Sequence, residues 1–376
     1  MRLSVISFTD AGGRLGQRLC EKLNEIGCQA EHFDGRRRKE SLSEWTGQAF
    51  SRYDGLIFIG ACGIAVRAVA PFVRDKFTDP AVVVVDERAQ FSVSLLSGHV
   101  GGANELARTV GMLIGAVPVI STATDVNGKF AVDVFAKENH LHLSDRTLAK
   151  QVSAAVLAGS RIPFYVDENA AELTGRMPEE LMEVRSEEMF LSRKGIRAAV
   201  SAKRFLPGDQ KNILYLIPAS VTVGIGCRKE ISPAVLKETA EKALERAGIF
   251  PEAVEQIATI ALKKEESAIR NLAEEWKVPL VWYEAEELNA LDGTFSCSSF
   301  VKEITGVDSV CERAAAAGSG GALILRKQAE RGVTVAAAQR TVRIALEPAG
   351  TECGTDGRQR ESAGSYTEQP EGESRK

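Results

Sequence analysis

The sequence predicts two α/β domains with mainly parallel sheets, joined by a variable middle region and followed by a disordered C-terminal tail. Apolar strand-like runs alternate with amphipathic helical patterns, beginning with a strand at 3–8, a helix at 13–26 and a strand at 28–33. The alternation resumes near residue 221. A length of 376 residues also exceeds one ordinary hydrophobic core. We therefore divide the chain into residues 1–127, 128–220, 221–345 and 346–376.

The second domain begins with a strand at 221–227, which leads through a glycine turn into a helix at 232–247. Between the two domains the pattern weakens to an apolar run at 130–136, a helical stretch at 144–157 and a short strand at 162–166. This middle region is either a module of its own or a long connection. After residue 348 the chain is mostly Gly, Ser, Thr, Glu and Gln, which cannot bury a core, so it is predicted to be disordered.

Composition is typical of a soluble globular protein, with 44% hydrophobic and 26% charged residues. A net charge of −4 and a pI of about 5.8 give no bulk attraction to nucleic acid or to an anionic membrane. The chain has no apolar run of about 18 residues, and its first eight residues resemble a strand rather than a signal peptide. We expect a cytoplasmic protein without nucleic-acid or membrane partners.

Four strand-like runs within residues 53–121 each end in polar or glycine-rich residues. These ends are Gly60-Ala61-Cys62-Gly63 with Arg67, Asp86-Glu87-Arg88, the segment 97–105, and the segment 121–125. In an open α/β sheet, ligands bind in the crevice outside the carboxyl ends of the strands. We therefore expect these four ends to converge on a single site.

The segment 97–105, Ser-Gly-His-Val-Gly-Gly-Ala-Asn-Glu, is the most specific of the four. Its glycines permit close backbone approach, and the free amides of the following helix attract anions such as carboxylates. His99 is the best candidate for proton transfer, with a helix cap as its structural alternative. Asn104 and Glu105 are candidates to orient substrate or water, although Glu105 fits a helix surface equally well. Asp125 is a candidate partner of His99 or a helix cap.

A rival interpretation starts from the first glycine turn. Residues 11–16 fit a dinucleotide fingerprint whose first glycine is replaced, and Asp34 follows at a strand end. The arginines at 36–38 would suit a 2′-phosphate, so a NADP-dependent oxidoreductase is an alternative. The missing glycine normally makes the tight turn, which counts against this alternative.

Neither cysteines nor histidines indicate a metal site. The seven cysteines are widely spread without a Cys-x-x-Cys pair, so packing is the expected role of most. Cys62 and Cys227 follow strands in glycine turns, where a helix N-terminus can lower a thiol pKa, but packing or turn roles are favoured there too. His140 and His142 resemble half a metal site without a third ligand of matching spacing nearby. We predict no protein-bound metal.

Several motifs together resemble one family. They are Gly60-x-Cys62-Gly63-Ile64-Ala65-Val66-Arg67, Asp79-Pro80-x-Val82-Val83-Val84-Val85-Asp86-Glu87, Ser97-Gly98-His99-x-Gly101-Gly102-Ala103-Asn104 and Ala123-Thr124-Asp125. This set resembles the cobalt-precorrin-5A hydrolases of anaerobic cobalamin biosynthesis, the CbiG family. Residues 221–340, with Gly224-Ile225-Gly226-Cys227-Arg228 and Val310-Cys311-Glu312, are similar to the carboxy-terminal module shared with the CobE proteins.

The resemblance implies an enzyme that opens the δ-lactone of cobalt-precorrin-5A and releases acetaldehyde, giving cobalt-precorrin-5B. It implies a cobalt-corrinoid substrate and no cofactor, because the substrate carries the cobalt, and it allows transient contacts with other enzymes of the pathway. A non-catalytic carrier that binds the corrinoid without consuming it is a further alternative.

The resemblance also suggests roles for individual residues. His99 would be the general base, oriented by Asp125 or Glu105, with the amides around Gly101 and Gly102 as oxyanion or carboxylate donors. Arginines would clamp acetate or propionate groups. The residues predicted to contact substrate are Gly60, Gly63, Arg67, Ser97, Gly98, Gly101, Gly102, Asn104, Thr124, Gly226, Cys227 and Arg228. Two questions stay open: whether one base is essential, and whether the site lies within the first domain or between domains.

Overall fold

A computed structural model describes residues 1–37, 40–75, 78–99, 101–122, 127–205 and 211–346. Within these ranges the chain builds three main sheets flanked by helices, so the predicted α/β class with mainly parallel sheets is confirmed. The predicted disordered tail lies, apart from its first residue, outside the described residues and stays a prediction. No helix in the described ranges is long and apolar enough to span a bilayer.

The first sheet is built from the N-terminal part of the chain. Its strands are β1 (Arg2–Ser7), β2 (Gln29–Asp34), β3 (Gly55–Ile59), β4 (Ala81–Val85), β5 (Phe91–Leu96) and β6 (Val117–Val119). Its helices are α1 (Asp10–Glu25), α2 (Leu42–Arg52), α3 (Cys62–Val69) and α4 (Ala103–Ile114), and a 3₁₀ turn spans Ala70–Phe72. The strand order is β2-β1-β3-β4-β5-β6, and each neighbouring pair is parallel except β4 and β5.

Local chemistry explains these elements. The four consecutive valines of β4 are all buried, as expected for a central strand covered on both faces. Helix α1 begins where the Thr9 hydroxyl accepts a hydrogen bond from the Gly12 N–H at 3.1 Å. Helix α4 ends at Gly115, whose φ of +79° suits glycine.

The middle region is a folded sheet unit rather than a bare connection. Its strands are β7 (Leu141–Leu143), β8 (Ile162–Val166), β9 (Ala171–Thr174), β10 (Leu181–Glu183), β11 (Arg197–Val200) and β12 (Ile213–Pro218). Its helices are α5 (Val132–Glu138), α6 (Arg146–Leu157) and α7 (Glu187–Ser192). Five of the strands form a sheet in the order β10-β8-β11-β12-β7, in which only β7 is antiparallel to its neighbour.

The C-terminal unit contains the strands β13 (Val221–Cys227), β14 (Val254–Ile260), β15 (Leu280–Tyr283), β16 (Ala322–Glu330) and β17 (Val333–Gln339), and the chain continues to β18 (Val342–Ala345). The first five form a sheet in the order β15-β14-β13-β17-β16. The helices are α8 (Pro233–Arg246), α9 (Ser267–Trp276), α10 (Ala285–Asn289), α11 (Ser299–Thr305) and α12 (Val310–Ser319), with 3₁₀ turns at Pro251–Ala253 and Ala261–Lys263.

The middle and C-terminal units share a hydrophobic core and a pair of strands, in addition to the chain segment that connects them. One continuous apolar core contains Tyr215 of β12 together with Val223 of β13 and Phe250. Strand β18 also returns to the middle unit, where it pairs in parallel with β9. These contacts bind the two units together through buried apolar area as well as backbone hydrogen bonds.

Candidate functional site

The first sheet does not bring the four polar strand ends together. Strand β5 runs antiparallel to β4, so that Val85 pairs with Ser92 whereas Leu96 pairs with Val82. The end of β5 therefore lies at the opposite edge of the sheet from the ends of β3 and β4. The prediction of a single site was wrong for this reason. The link between the strands is only residues 86–90, too short for a parallel crossover of a dozen or more residues.

One edge carries the end of β3. The chain leaves β3 at Gly60, and Cys62 begins helix α3 with no side-chain cap. The Arg67 guanidinium lies beside Gly63, since a Cβ built there would be 4.0 Å from its Nη1 atom. These groups are separated from the end of β5 by about the length of β4, roughly 16 Å at ~3.3 Å per residue. The structure thus does not bring Arg67 to His99.

The other edge carries the turn between β5 and α4. Ser97 adopts φ = +58°, a left-handed conformation that L-residues with a side chain rarely adopt. Its hydroxyl is buried and has no hydrogen-bond partner among the described residues. Gly101 packs so tightly on this residue that a Cβ there would lie 2.1 Å from the Ser97 Cβ and 2.6 Å from its carbonyl oxygen. Such a strained, closely packed turn is a common feature of functional sites.

His99 lies half-exposed at the tip of this turn, just before helix α4. Gly102 adopts φ = +88° at the start of the helix, and its N–H donates to the His99 carbonyl at 3.0 Å. The Asn104 N–H donates in the same way to the Gly98 carbonyl at 2.9 Å. The turn therefore uses these amides to hold its own backbone, which makes Gly101 the better candidate for an amide donor to substrate.

Asn104 holds three segments of the chain together through its side chain, and its predicted contact with substrate stays a prediction. It is only 4% exposed. Its Oδ1 atom accepts a hydrogen bond from the Ser94 hydroxyl at 2.6 Å, and its Nδ2 atom donates to the Thr122 hydroxyl at 3.1 Å. It thereby ties β5, α4 and the segment after β6 together. A Cβ at Gly98 would lie 2.7 Å from its Oδ1 atom, so the glycine lets the turn close over this amide.

Charged groups of the middle unit approach the same edge. The Lys137 ammonium of α5 lies 3.7 Å from the position that a Cβ would take at Gly102. Glu105 is exposed on α4 and pairs with Arg108 at 3.5 Å. Burial, and then the charge of Glu105, raise the pKa of Glu138. The turn that carries His99 thus faces the middle unit. Lys137 could not be predicted from the sequence, because local patterns carry no signal for a contact between units.

A second contact links the two units near this edge. Arg146 of α6 forms an ion pair with Asp75, in the segment that leads into β4. That segment is held by Asp79, whose carboxylate accepts hydrogen bonds from the Arg74 N–H at 2.8 Å and the Asp75 N–H at 3.0 Å. Thr124 and Asp125 lie outside the described residues, so their predicted roles stay predictions.

The predicted C-terminal contacts line a different place. Gly226, Cys227 and Arg228 border a cleft of about 1110 Å³ whose lining residues all lie between Gly226 and Thr334. Burial raises the pKa of the Cys227 thiol to about 11. A thiol that stays protonated at neutral pH is a poor nucleophile. The favoured packing or turn role of Cys227 therefore agrees with its surroundings.

Of the three arginines in the rival interpretation, Arg36 and Arg37 both pair with Asp34, and Arg38 lies outside the described residues. Arg36 pairs with Asp34 at 3.0 Å and with Asp10 at 2.8 Å. Its hydrogen bonds lower the pKa of Asp34 to about 2. Asp10 also stands in the first turn of α1, where a negative charge disfavours a second anion. These contacts do not favour a dinucleotide phosphate at this turn.

Comparison with known proteins adds independent findings. Three family models match, described as Cobalamin synthesis G N-terminal over residues 44–125, Cobalamin biosynthesis central region over 130–218, and Cobalamin synthesis G C-terminus over 221–338. The chain is 37% identical to the cobalt-precorrin-5A hydrolase of Salmonella typhimurium, covering 89% of this chain and 96% of that protein.

Two further relatives extend the match. Identity is 33% to the cobalt-precorrin-5A hydrolase of Priestia megaterium, over 77% of this chain and 79% of that protein. It is 32% to Protein CobE of a Sinorhizobium species, over 28% of this chain and 70% of that protein. The two resemblances inferred from the motifs are confirmed.

Proposed function

This chain belongs to the cobalamin synthesis G (CbiG) family, and from that premise we propose that it hydrolyses cobalt-precorrin-5A. The observation that carries the proposal is the near full-length match to one relative that bears this name, supported by a match to a second over about three quarters of both chains. The chain is a hydrolase of cobalamin biosynthesis. A cytoplasmic location, independence of any cofactor, and transient contacts with other enzymes of the pathway are predictions that follow from this assignment.

The proposed reaction consumes one water and needs no oxidant or reductant. Water adds to the lactone carbonyl, and the ring C–O bond breaks to give an acetate carboxylate and an alcohol on the extruded carbon. Loss of the alcohol proton then lets the bond between that carbon and the macrocycle break. The extruded carbon leaves with its methyl group as acetaldehyde, and the electron pair passes into the macrocycle, which takes up a proton.

These steps require a base near the lactone and donors for the oxygen that becomes negative. We assign the first role to His99, because an imidazole is suited to exchange protons near neutral pH and the turn 97–102 holds it at an edge facing the middle unit. The Gly101 N–H is the proposed donor. Lys137 supplies a positive charge beside the turn, suited to a carboxylate of the substrate.

Two assignments change with the structure. Arg67 is no longer a clamp for a substrate held at His99, since it lies at the opposite edge of the sheet. Glu105 is paired with Arg108 on the surface of α4, so Asp125 is the preferred partner to orient His99, although it lies outside the described residues. The proposed site thus lies between the first sheet and the middle unit.

An isotope experiment tests the proposed water attack. Turnover of cobalt-precorrin-5A in H₂¹⁸O is expected to place one ¹⁸O in the released acetate carboxylate of cobalt-precorrin-5B, as seen by mass analysis of the macrocycle. A macrocycle without ¹⁸O would overturn hydrolysis at the carbonyl. Binding of the substrate without any turnover would instead support the carrier alternative.

A further inference from the structure

Ser97 carries two unfavourable features, and both lie on the turn that holds His99. Its backbone is left-handed, with φ = +58°, and its hydroxyl is buried without a hydrogen-bond partner among the described residues. An unpaired buried hydroxyl destabilises a fold, and an alanine at this position would avoid that loss. A catalytic role is one recognised reason for a protein to retain such a group.

The side chain of Ser97 points at the start of helix α4. A Cβ built at Gly101 would lie 2.1 Å from the Ser97 Cβ, and Gly101 is the second residue before Ala103, where the helix begins. The Ala103 N–H donates to the Ser97 carbonyl at 3.1 Å, so the two ends of the turn are held against each other. The hydroxyl therefore lies at the N-terminus of a helix of 12 residues, where backbone N–H groups attract negative charge.

The Gly101 N–H is a second donor at the same place. The N–H groups of residues 102–104 all donate to carbonyls of residues 97–99, which closes the turn. Within the described ranges, the Gly101 N–H has no such acceptor. The turn thus presents two unpaired donors next to each other, one from the backbone of Gly101 and one from the side chain of Ser97.

These two donors are close enough to bind one oxygen atom. The contact between the two residues, together with standard bond lengths, places the Gly101 nitrogen and the Ser97 Oγ atom at most about 6 Å apart. Two donors that each lie about 2.9 Å from a shared oxygen are likewise separated by at most roughly 6 Å. A side chain at residue 101 would fill the space between the donors, which agrees with a glycine there.

We propose that the Ser97 hydroxyl and the Gly101 N–H together bind the carbonyl oxygen of the lactone and stabilise the negative charge that this oxygen gains when water adds. The proposal rests on the proposed function, because that function supplies the lactone. Ser97 keeps its proton and forms no covalent bond to the substrate. In the free chain Gly101 covers the hydroxyl, so the turn opens at this glycine as the carbonyl oxygen enters between the two donors.

The test is the steady-state rate of acetaldehyde release from cobalt-precorrin-5A by the full-length chain and by Ser97→Ala. We expect kcat to fall by about a hundredfold to a thousandfold, the loss that follows removal of one donor to an oxyanion. KM should stay as in wild type, because the negative oxygen forms only in the transition state. Dicyanocobyrinic acid, a stable cobalt corrinoid with free carboxylates, should bind both chains equally. The urea midpoint of unfolding should rise, because the unpaired hydroxyl is gone.

Ser92→Ala is the matched control. Ser92 lies near the other end of β5, is fully buried, and also has a hydroxyl without a hydrogen-bond partner among the described residues. Its replacement should raise the urea midpoint in the same way and leave turnover unchanged. Ser97→Gly is a second variant that guards against a folding defect, because glycine suits the left-handed backbone, and it should lose as much turnover as Ser97→Ala.

Release by wild type together with an unchanged kcat of Ser97→Ala would overturn the donor role and leave the proposed function standing. An equal loss of turnover by Ser92→Ala would also overturn it, since the effect would then not depend on the turn. A macrocycle found covalently attached to Ser97 after an acid quench would replace the donor with a serine nucleophile. No release by wild type would contradict the proposed function and, with it, this role.

Discussion

Gly101→Ala is predicted to damage catalysis much more than folding. The added Cβ would lie 2.1 Å from the Ser97 Cβ, whereas carbon atoms in contact lie about 3.5–4.0 Å apart. The two sides of the turn must therefore separate by roughly 1.5 Å. Because His99 lies between these two residues, it moves with the turn.

Two magnitudes follow from this displacement. Overpacking of this kind costs about 1–3 kcal/mol of the free energy of unfolding. Misplacement of a catalytic group by about 1 Å lowers the rate by around a hundredfold. We expect Gly101→Ala to fold, to unfold at lower urea concentration than wild type, and to release acetaldehyde about a hundredfold more slowly at saturating substrate.

Gly13→Ala is the matched control for this variant. A Cβ at Gly13 meets its nearest atom, the Ser7 hydroxyl oxygen, at 3.8 Å, an ordinary contact. Since Gly13 lies inside helix α1, alanine there should stabilise the fold by about 0.5–1 kcal/mol and leave turnover unchanged. Wild-type turnover by Gly101→Ala would refute the argument that the geometry of the turn governs catalysis.

Three further predictions concern single side chains. The raised pKa of Glu138 means that the folded chain binds this proton more tightly than the unfolded chain, so stability falls as pH rises through that pKa. Glu138→Gln should therefore unfold at higher temperature than wild type at pH 7 but not at pH 4. A lower unfolding temperature of the variant at pH 7 would contradict this. Cys227, with a pKa of about 11, should react with iodoacetamide much more slowly at pH 8 than the exposed Cys62, as measured by peptide mass mapping. Equal rates would show that burial does not govern the reactivity of Cys227. Asn104→Ala should lower the free energy of unfolding by about 1–3 kcal/mol in urea titrations, because it removes both hydrogen bonds that the buried amide makes to the half-buried hydroxyls of Ser94 and Thr122. An unchanged midpoint would refute the positioning role.

Much of the fold followed from local patterns. The buried valines of β4 and the glycine that ends α4 are local features, and hydrophobic periodicity and helix-capping preferences predict them well. The direction of β5 was also within reach of the sequence. Residues 86–90 are too few for a crossover, so a hairpin was the consistent interpretation. The mistaken single site came from treating every strand as parallel.

Other features depend on contacts between distant parts of the chain. Strands β7 and β10 have three residues each, too short for a periodic signal, and they become strands only by pairing in the middle sheet. The left-handed Ser97 is imposed by the tight packing of its turn, against the intrinsic preference of serine. The approach of Lys137 to the same turn requires two units to meet. No local pattern reports any of these three.

Hydrolysis that depends on His99 is tested by measuring acetaldehyde release from cobalt-precorrin-5A without nucleotide, by the wild-type chain, His99→Ala and His142→Ala. His142 is an exposed histidine of the middle unit and serves as the matched control. We expect stoichiometric release by wild type and by His142→Ala, and loss of most turnover by His99→Ala with corrinoid binding retained. Wild-type turnover by His99→Ala would remove this histidine from the mechanism, and no release by any of the three would contradict the hydrolase.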